Sequence, residues 1–317
     1  MRAGRHGGAR AIAGKIDMKK LPKKILIKEV GPRDGLQNEK QFVPTDVKIA
    51  FIQKLIECGH RAIEITGFVH PKAIPQLADA EAVAKAFTQE NRATLSALVP
   101  NRIGMEKAIA CGMKEVAVFT AASETFTQKN IKCSIDESFE RFRDVVVLAK
   151  KNKIKVRGYV STAFVCPYEG AIDPKVTLAV TDRLFAMGCN EVSIGDTIGK
   201  ATPVEVKKLF AKLARKHSVK KLAAHFHDTY GLAVANVVAA LESGISIFDS
   251  SAAGLGGCPY APGASGNVAT EDLVYLFHQM DIPTGIDLGK LAIASQYIQQ
   301  QLRVPTRSKV LQAMLAK

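Results

Sequence analysis

The 317 residues contain no tryptophan, and no run of Lys and Arg is interleaved with aromatic side chains. Nucleic-acid recognition needs a basic footprint with stacking platforms, so the formal net charge of +14 does not by itself argue for it. Half of that excess lies in residues 1–24, where eight Lys or Arg meet the single acid Asp17. Long apolar runs are also missing. None reaches the roughly 18 to 20 residues a membrane-spanning helix requires, and no membrane role is expected. The six cysteines form no CxxC pair, which removes the commonest zinc and redox spacings. A chain of this length needs no disulfide staples, so reduced thiols and a bacterial-like cytoplasmic location are expected. The Arg-rich start lacks the apolar segment of a secretory signal. It reads as a basic, disordered stretch over 1–24, with mitochondrial import as the alternative and Met18 as a second candidate start.

What is present is a phrase that recurs: "LIECGHRAIEI", "AIACGMKEVAVF", "LFAMGCNEVSI" and "ALESGISIFDS". Each reads as a helix end, a glycine (Gly59, Gly112, Gly188, Gly244) and a β-branched strand. Glycine fits the left-handed position just past a helix, and β-branched runs fit buried strands. With the other apolar runs this gives eight strand candidates, at 25–30, 61–67, 94–99, 115–121, 155–163, 191–195, 221–227 and 246–252. Helical periodicity lies between them, over 45–57, 134–151 and 202–216. Ser134 with Glu137 has the spacing of a capping box, and Thr202 before Pro203 that of an N-cap followed by proline. Apolar strands alternating with helices predict a (β/α)8 TIM barrel over residues 25–317, with one or two extra helices in 280–317. A doubly wound open sheet is the alternative, and the lack of GxGxxG after the first strand weakens it.

Active sites of such barrels sit at the carboxyl ends of the strands. Arg33 and Asp34 follow the first strand, Glu64 ends the second, Ser123 follows the fourth, Tyr159 lies in the fifth, and Asp196 with Thr197 closes the sixth. His225 and His227 are two apart on the seventh, so both imidazoles share a face. They can share a metal or be two hydrogen-bonded core histidines. Asp34 and Asn267 would complete a mixed nitrogen and oxygen donor set that favours Mg²⁺ or Mn²⁺ over Zn²⁺. Arg33 can hold an oxyanion or close a salt bridge at the rim. Cys258 stands in a loop with five glycines in fourteen residues, "GLGGCPYAPGASGN", and is the candidate catalytic thiol, while the other five cysteines read as buried and inert.

The phrases "EVGPRDGLQNEK", "AASETFTQKNIKCSI", "VRGYVSTAFVCPYEG", "GDTIGKATP", "HFHDTYGLA" and "AGLGGCPYAPGASGNVATEDLVY" resemble, in order, those of the 3-hydroxy-3-methylglutaryl-CoA lyase family. That family belongs to a superfamily of metal-dependent TIM-barrel lyases and Claisen synthases. The resemblance implies retro-Claisen cleavage of 3-hydroxy-3-methylglutaryl-CoA to acetyl-CoA and acetoacetate, with a divalent cation on Asp34, His225, His227 and Asn267; a lyase for a related hydroxyacyl-CoA or a Claisen-type synthase is the alternative. It implies that Arg33 holds the enolate oxygen and that Glu64 touches or supports the substrate. Cys258 would act as a thiol acid and His225 or Asp34 as a base, with Ser123, Tyr159, Asp196 and Thr197 near the substrate. Lys129 and Lys132 are candidates for the CoA phosphates, and a homodimer is expected.

Overall fold

The computed structural model describes residues 21–257 and 266–316. All eight expected strands form: β1 Leu26–Glu29, β2 Ala62–Gly67, β3 Thr94–Leu98, β4 Glu115–Ala121, β5 Lys155–Ser161, β6 Glu191–Asp196, β7 Leu222–Phe226 and β8 Ile247–Ser250. Each pairs in parallel with its sequence neighbours, and β8 pairs back onto β1 to close a barrel. That closure rules out the open sheet. The four recurring glycines all take positive φ, between +72° and +120°, as a helix-to-strand joint demands.

The surrounding helices are α1 Thr45–Glu57, α2 Ala80–Lys85, α3 Arg102–Ala110, α4 Glu124–Ile131, α5 Ile135–Lys151, α6 Pro174–Met187, α7 Pro203–Ala214, α8 Ala233–Glu242 and α9 Thr270–Gln279. Both expected N-termini are built as full capping boxes, Ser134 with Glu137 on α5 and Thr202 with Glu205 on α7. Residues 280–316 add α10 Leu288–Leu302, packed on α1, and α11 Lys309–Leu315, packed on α9. β5 stops two residues before the apolar run does, because Thr162 turns into the left-handed region at φ +49°. A β-branched residue pays strain there and cannot continue a strand.

The main apolar core lies between strands and helices, where Phe51, Phe210, Phe248 and Phe277 are fully buried. The inside of the barrel is different. Branched aliphatic residues usually fill it, whereas here Lys28, Glu64, Arg157, Ser193, Asp249 and Tyr159 occupy it, all buried.

Candidate active site

The turn after β1 explains how an adjacent cation and carboxylate follow a buried strand. Gly31–Gly35 forms one π-helical turn, in which the Asp34 and Gly35 amides both donate to the Val30 carbonyl at 2.7 and 3.1 Å. Single π-turns are frequent at functional sites. The glycines at its ends are needed for space, since a Cβ on Gly31 would lie 2.5 Å from Glu29 Oε1 and one on Gly35 2.8 Å from Ser251 Oγ.

This turn brings Asp34 to the two imidazoles. Ligand atoms of Asp34, His225 and His227 lie within 4.8 Å of one another, and no other such group of three occurs among the described residues. Asn267 joins them because its backbone forms an antiparallel bridge with His227 just past β7. Its Nδ2 donates to Asp34 Oδ2 at 2.9 Å and to the Leu255 carbonyl at 3.1 Å. Its Oδ1 is buried without a partner, and so is His227 Nδ1. Buried polar atoms are normally satisfied. A carboxylate, imidazoles and a spare amide oxygen converging with unspent acceptor capacity suit a divalent cation with hard, borderline preferences.

Electrostatics support the same reading. Burial pushes the Asp34 carboxyl up, but Arg33, both histidines and the Asn267 hydrogen bond outweigh it and hold the group at about 2. Burial, helped by the neighbouring His225, pulls His227 down to about 4 despite Asp34, so it stays neutral as a ligand must. Burial opposes charge on Arg33 too, yet the Glu64 and Asp34 carboxylates keep its guanidinium above the ordinary range. Arg33 donates to Asp34 at 2.7 Å and, through Nε, to Glu64. The Tyr159 hydroxyl donates to the other Glu64 oxygen at 2.8 Å. Glu64 itself is fully buried, at a point where the register of β2 slips against β3, and it fixes Arg33 and Tyr159 from below.

Above these groups opens a cavity of about 450 Å³, lined by Arg33, Asp34, Tyr159, Thr197, His225 and His227 at one end and by Asn130, Lys132 and Arg141 elsewhere on its wall. Two residues expected at the substrate are spent on the scaffold. Ser123 Oγ accepts from the Phe126 amide as N-cap of α4, and the residue does not line the cavity. Asp196 accepts from the Lys200 and Ala201 amides at 3.0 and 2.9 Å, shaping its own loop. Thr197 does reach the wall, with its hydroxyl accepting from the Thr162 amide. Lys129 lies over the Tyr168 ring instead of lining the cavity. Cys258 is outside the described residues. The other five cysteines are free and buried, and burial pushes Cys58 and Cys189 up to about 12.

Sequence reading missed the residues beneath the site. Arg157 donates twice to Asp249, at 2.7 and 3.1 Å, and once to Glu191 at 2.5 Å. Ser193 donates to Asp249 at 2.8 Å, and His225 Nδ1 lies 3.3 Å from the same oxygen. The signal was available, because Arg157 and Tyr159 are two apart in one strand and so face the same interior.

A family model described as HMGL-like matches residues 24–298. The mitochondrial hydroxymethylglutaryl-CoA lyase of Rattus norvegicus is 52% identical over 301 residues, which is 95% of this chain and 93% of that protein. The crystal structure of hydroxymethylglutaryl-CoA lyase from Pseudomonas aeruginosa, 48% identical, superposes with a TM-score of 0.91 over 94% of this chain and 99% of that one. An HMG-CoA lyase from Acinetobacter baumannii, solved in complex with coenzyme A and 3-methylmalate, gives a TM-score of 0.88 at 38% identity over 92% of this chain and 95% of that one. Likeness of sequence and of fold over nearly the whole barrel has one consequence: the chain belongs to the HMGL-like family.

Proposed function

We propose that this protein is a carbon–carbon lyase that cleaves 3-hydroxy-3-methylglutaryl-CoA into acetyl-CoA and acetoacetate. The observation that carries the reading is the convergence of Asp34, His225 and His227 within 4.8 Å beside a fixed guanidinium, Arg33, in a chain about half identical to lyases of that name. Asp34, His225, His227 and Asn267 would hold a divalent cation, Mg²⁺ or Mn²⁺, which would polarise the substrate's tertiary hydroxyl and lower its pKa.

The chain's own groups then divide the work. Asp34 takes the hydroxyl proton, since the two His225 nitrogens are committed to the cation and to Asp249. As the hydroxyl becomes the ketone of acetoacetate, the bond to the carbon beside the thioester breaks and its electron pair passes into the acetyl-CoA enolate. Arg33, always charged and held by Glu64, stabilises the enolate oxygen. Cys258 protonates the enolate carbon, releasing acetyl-CoA. Lys132 and Arg141, on the cavity wall, offer positive charge to the coenzyme's phosphates. A homodimer and a cytoplasmic location belong to the same reading. The five described cysteines are free, as a reducing compartment leaves them.

The test is direct: the purified protein with Mg²⁺ is offered 3-hydroxy-3-methylglutaryl-CoA and a panel of other 3-hydroxyacyl-CoAs. Acetyl-CoA and acetoacetate in equal amounts, fastest from the first substrate, are expected. Faster release of a different ketone from another member of the panel overturns the substrate assignment.

A further inference from the structure

We propose that Asp249 is a positioning residue which, oriented by Arg157 and Ser193, fixes His225 in the tautomer with its proton on Nδ1 and so leaves Nε2 bare for a cation. The inference deepens the metal-lyase reading above and rests on it. Asp249 reaches His225 because the register of β8 on β7 sets the two side by side. Its carboxylate accepts a bidentate pair from the Arg157 guanidinium, at 2.7 Å to Oδ1 and 3.1 Å to Oδ2, and a third hydrogen bond from Ser193 Oγ at 2.8 Å. Arg157 is itself tied to Glu191 and lies over the Tyr159 ring at 4.7 Å. Arg157, Ser193 and Asp249 are all essentially excluded from solvent.

A guanidinium has no acceptor and the serine hydroxyl proton is already directed at Asp249. An Asp249 ion-paired in this way has no proton to give. Its contact with His225 Nδ1, at 3.3 Å, is therefore a hydrogen bond only if Nδ1 carries the proton. The opposite tautomer would set a lone pair against a carboxylate in a dry interior. A metal-binding imidazole needs an unprotonated nitrogen, and a carboxylate on its other nitrogen fixes the ring and its tautomer. His227 has no such carboxylate, since its Nδ1 is unpartnered. The two imidazoles of the pair are thus prepared unequally, with His225 the pre-set one.

The experiment uses the full chain labelled with ¹⁵N-histidine, stripped with chelator, and Mn²⁺ as the probe. In the wild type, the His225 resonances should report an Nδ1–H, Nε2-bare imidazole before any metal is added. Observation of Nε2–H instead overturns the proposal without any variant. Asp249→Asn can donate its amide to Nδ1 and should invert the tautomer, weakening Mn²⁺ binding by about 10- to 100-fold. An Asp249→Asn protein with unchanged tautomer and a Kd within about twofold of wild type would falsify the assignment. If that variant does not fold, Ser193→Ala is the test. It should keep the tautomer and shift the Nδ1 proton downfield, because Ser193 and His225 share Oδ2 and that oxygen loses a competing donor, and an unmoved proton or loss of the Nδ1–H form defeats the idea. His227→Ala separates the two levels. If it binds Mn²⁺ as tightly as wild type, the metal reading fails, whereas the tautomer reading stands or falls on the spectrum.

Discussion

Two layers of charge lie one above the other in this barrel, and they are built on different terms. In the lower, Arg157, Asp249, Glu191 and Ser193 use their hydrogen-bonding capacity on one another, and Lys28 is paired with Glu115. In the upper, Asn267 Oδ1 and His227 Nδ1 are buried with nothing to bond, and the groups around them open onto a cavity. Burial alone does not mark a functional group, because both layers are buried. Unspent capacity that faces a cavity does, whereas the unpaired Asn236 Oδ1 lies away from the cavity wall.

The comparison can be broken by variants, and the largest effect should come from the upper layer. His227→Ala removes a proposed ligand and should lose Mn²⁺ binding and reduce turnover on the order of 10³-fold, since a metal's contribution is several kcal/mol. Calorimetric titration with Mn²⁺ beside steady-state kinetics checks both. Arg33→Met should lower kcat by about 10²- to 10³-fold while Mn²⁺ affinity is retained, the pattern of a lost enolate stabiliser. A change confined to KM would remove Arg33 from that role.

The lower layer should answer in stability. Arg157→Met strands a carboxylate in the interior and should reduce the unfolding free energy by about 3 to 5 kcal/mol in urea titrations. Stability within about 1 kcal/mol of wild type would show that this layer is not closed in the sense argued.

Glu29 sharpens the contrast as a satisfied but dry carboxylate. Burial lifts it to about 7 even though Thr270, Ala252 and Gly31 donate to it. The native carboxyl thus keeps its proton up to about pH 7, whereas the unfolded chain releases it near 4.5. The native state binds more protons in that window, so this group's contribution to stability falls as pH rises across it, by on the order of 3 kcal/mol. Glu29→Gln should flatten that part of the pH–stability curve, measured against wild type in urea at pH 5 and pH 7. At the small end, Arg143→Ala on α5 breaks an exposed pair with Glu140 and should leave Tm and activity unchanged.

Much of the barrel was legible in the chain because its signals are local. A glycine past a helix, a capping box and a β-branched run are each decided within a few residues, which is why α1 and the capped starts of α5 and α7 fall where periodicity put them. Thr162 shows the limit. The apolar run continues past it, but the backbone turns, and the Thr197 hydroxyl that meets its amide comes from another loop.

For the site, residue type and strand-end position singled out Asp34, His225, His227 and Asn267, since few side chains can ligate a cation and the strand ends are where a barrel gathers them. Sequence could not say how each polar group would be spent. Ser123 became a cap, Asp196 a loop brace, and Asp249, unremarked in its strand, became the partner of His225. Those outcomes depend on which strands lie side by side and in what register, which bring residues 24 to 92 positions apart into contact. Composition and period set which groups exist and which face they take. Only closure of the sheet sets which donor meets which acceptor, because hydrogen bonds act over about 3 Å and nothing local to either residue encodes that distance.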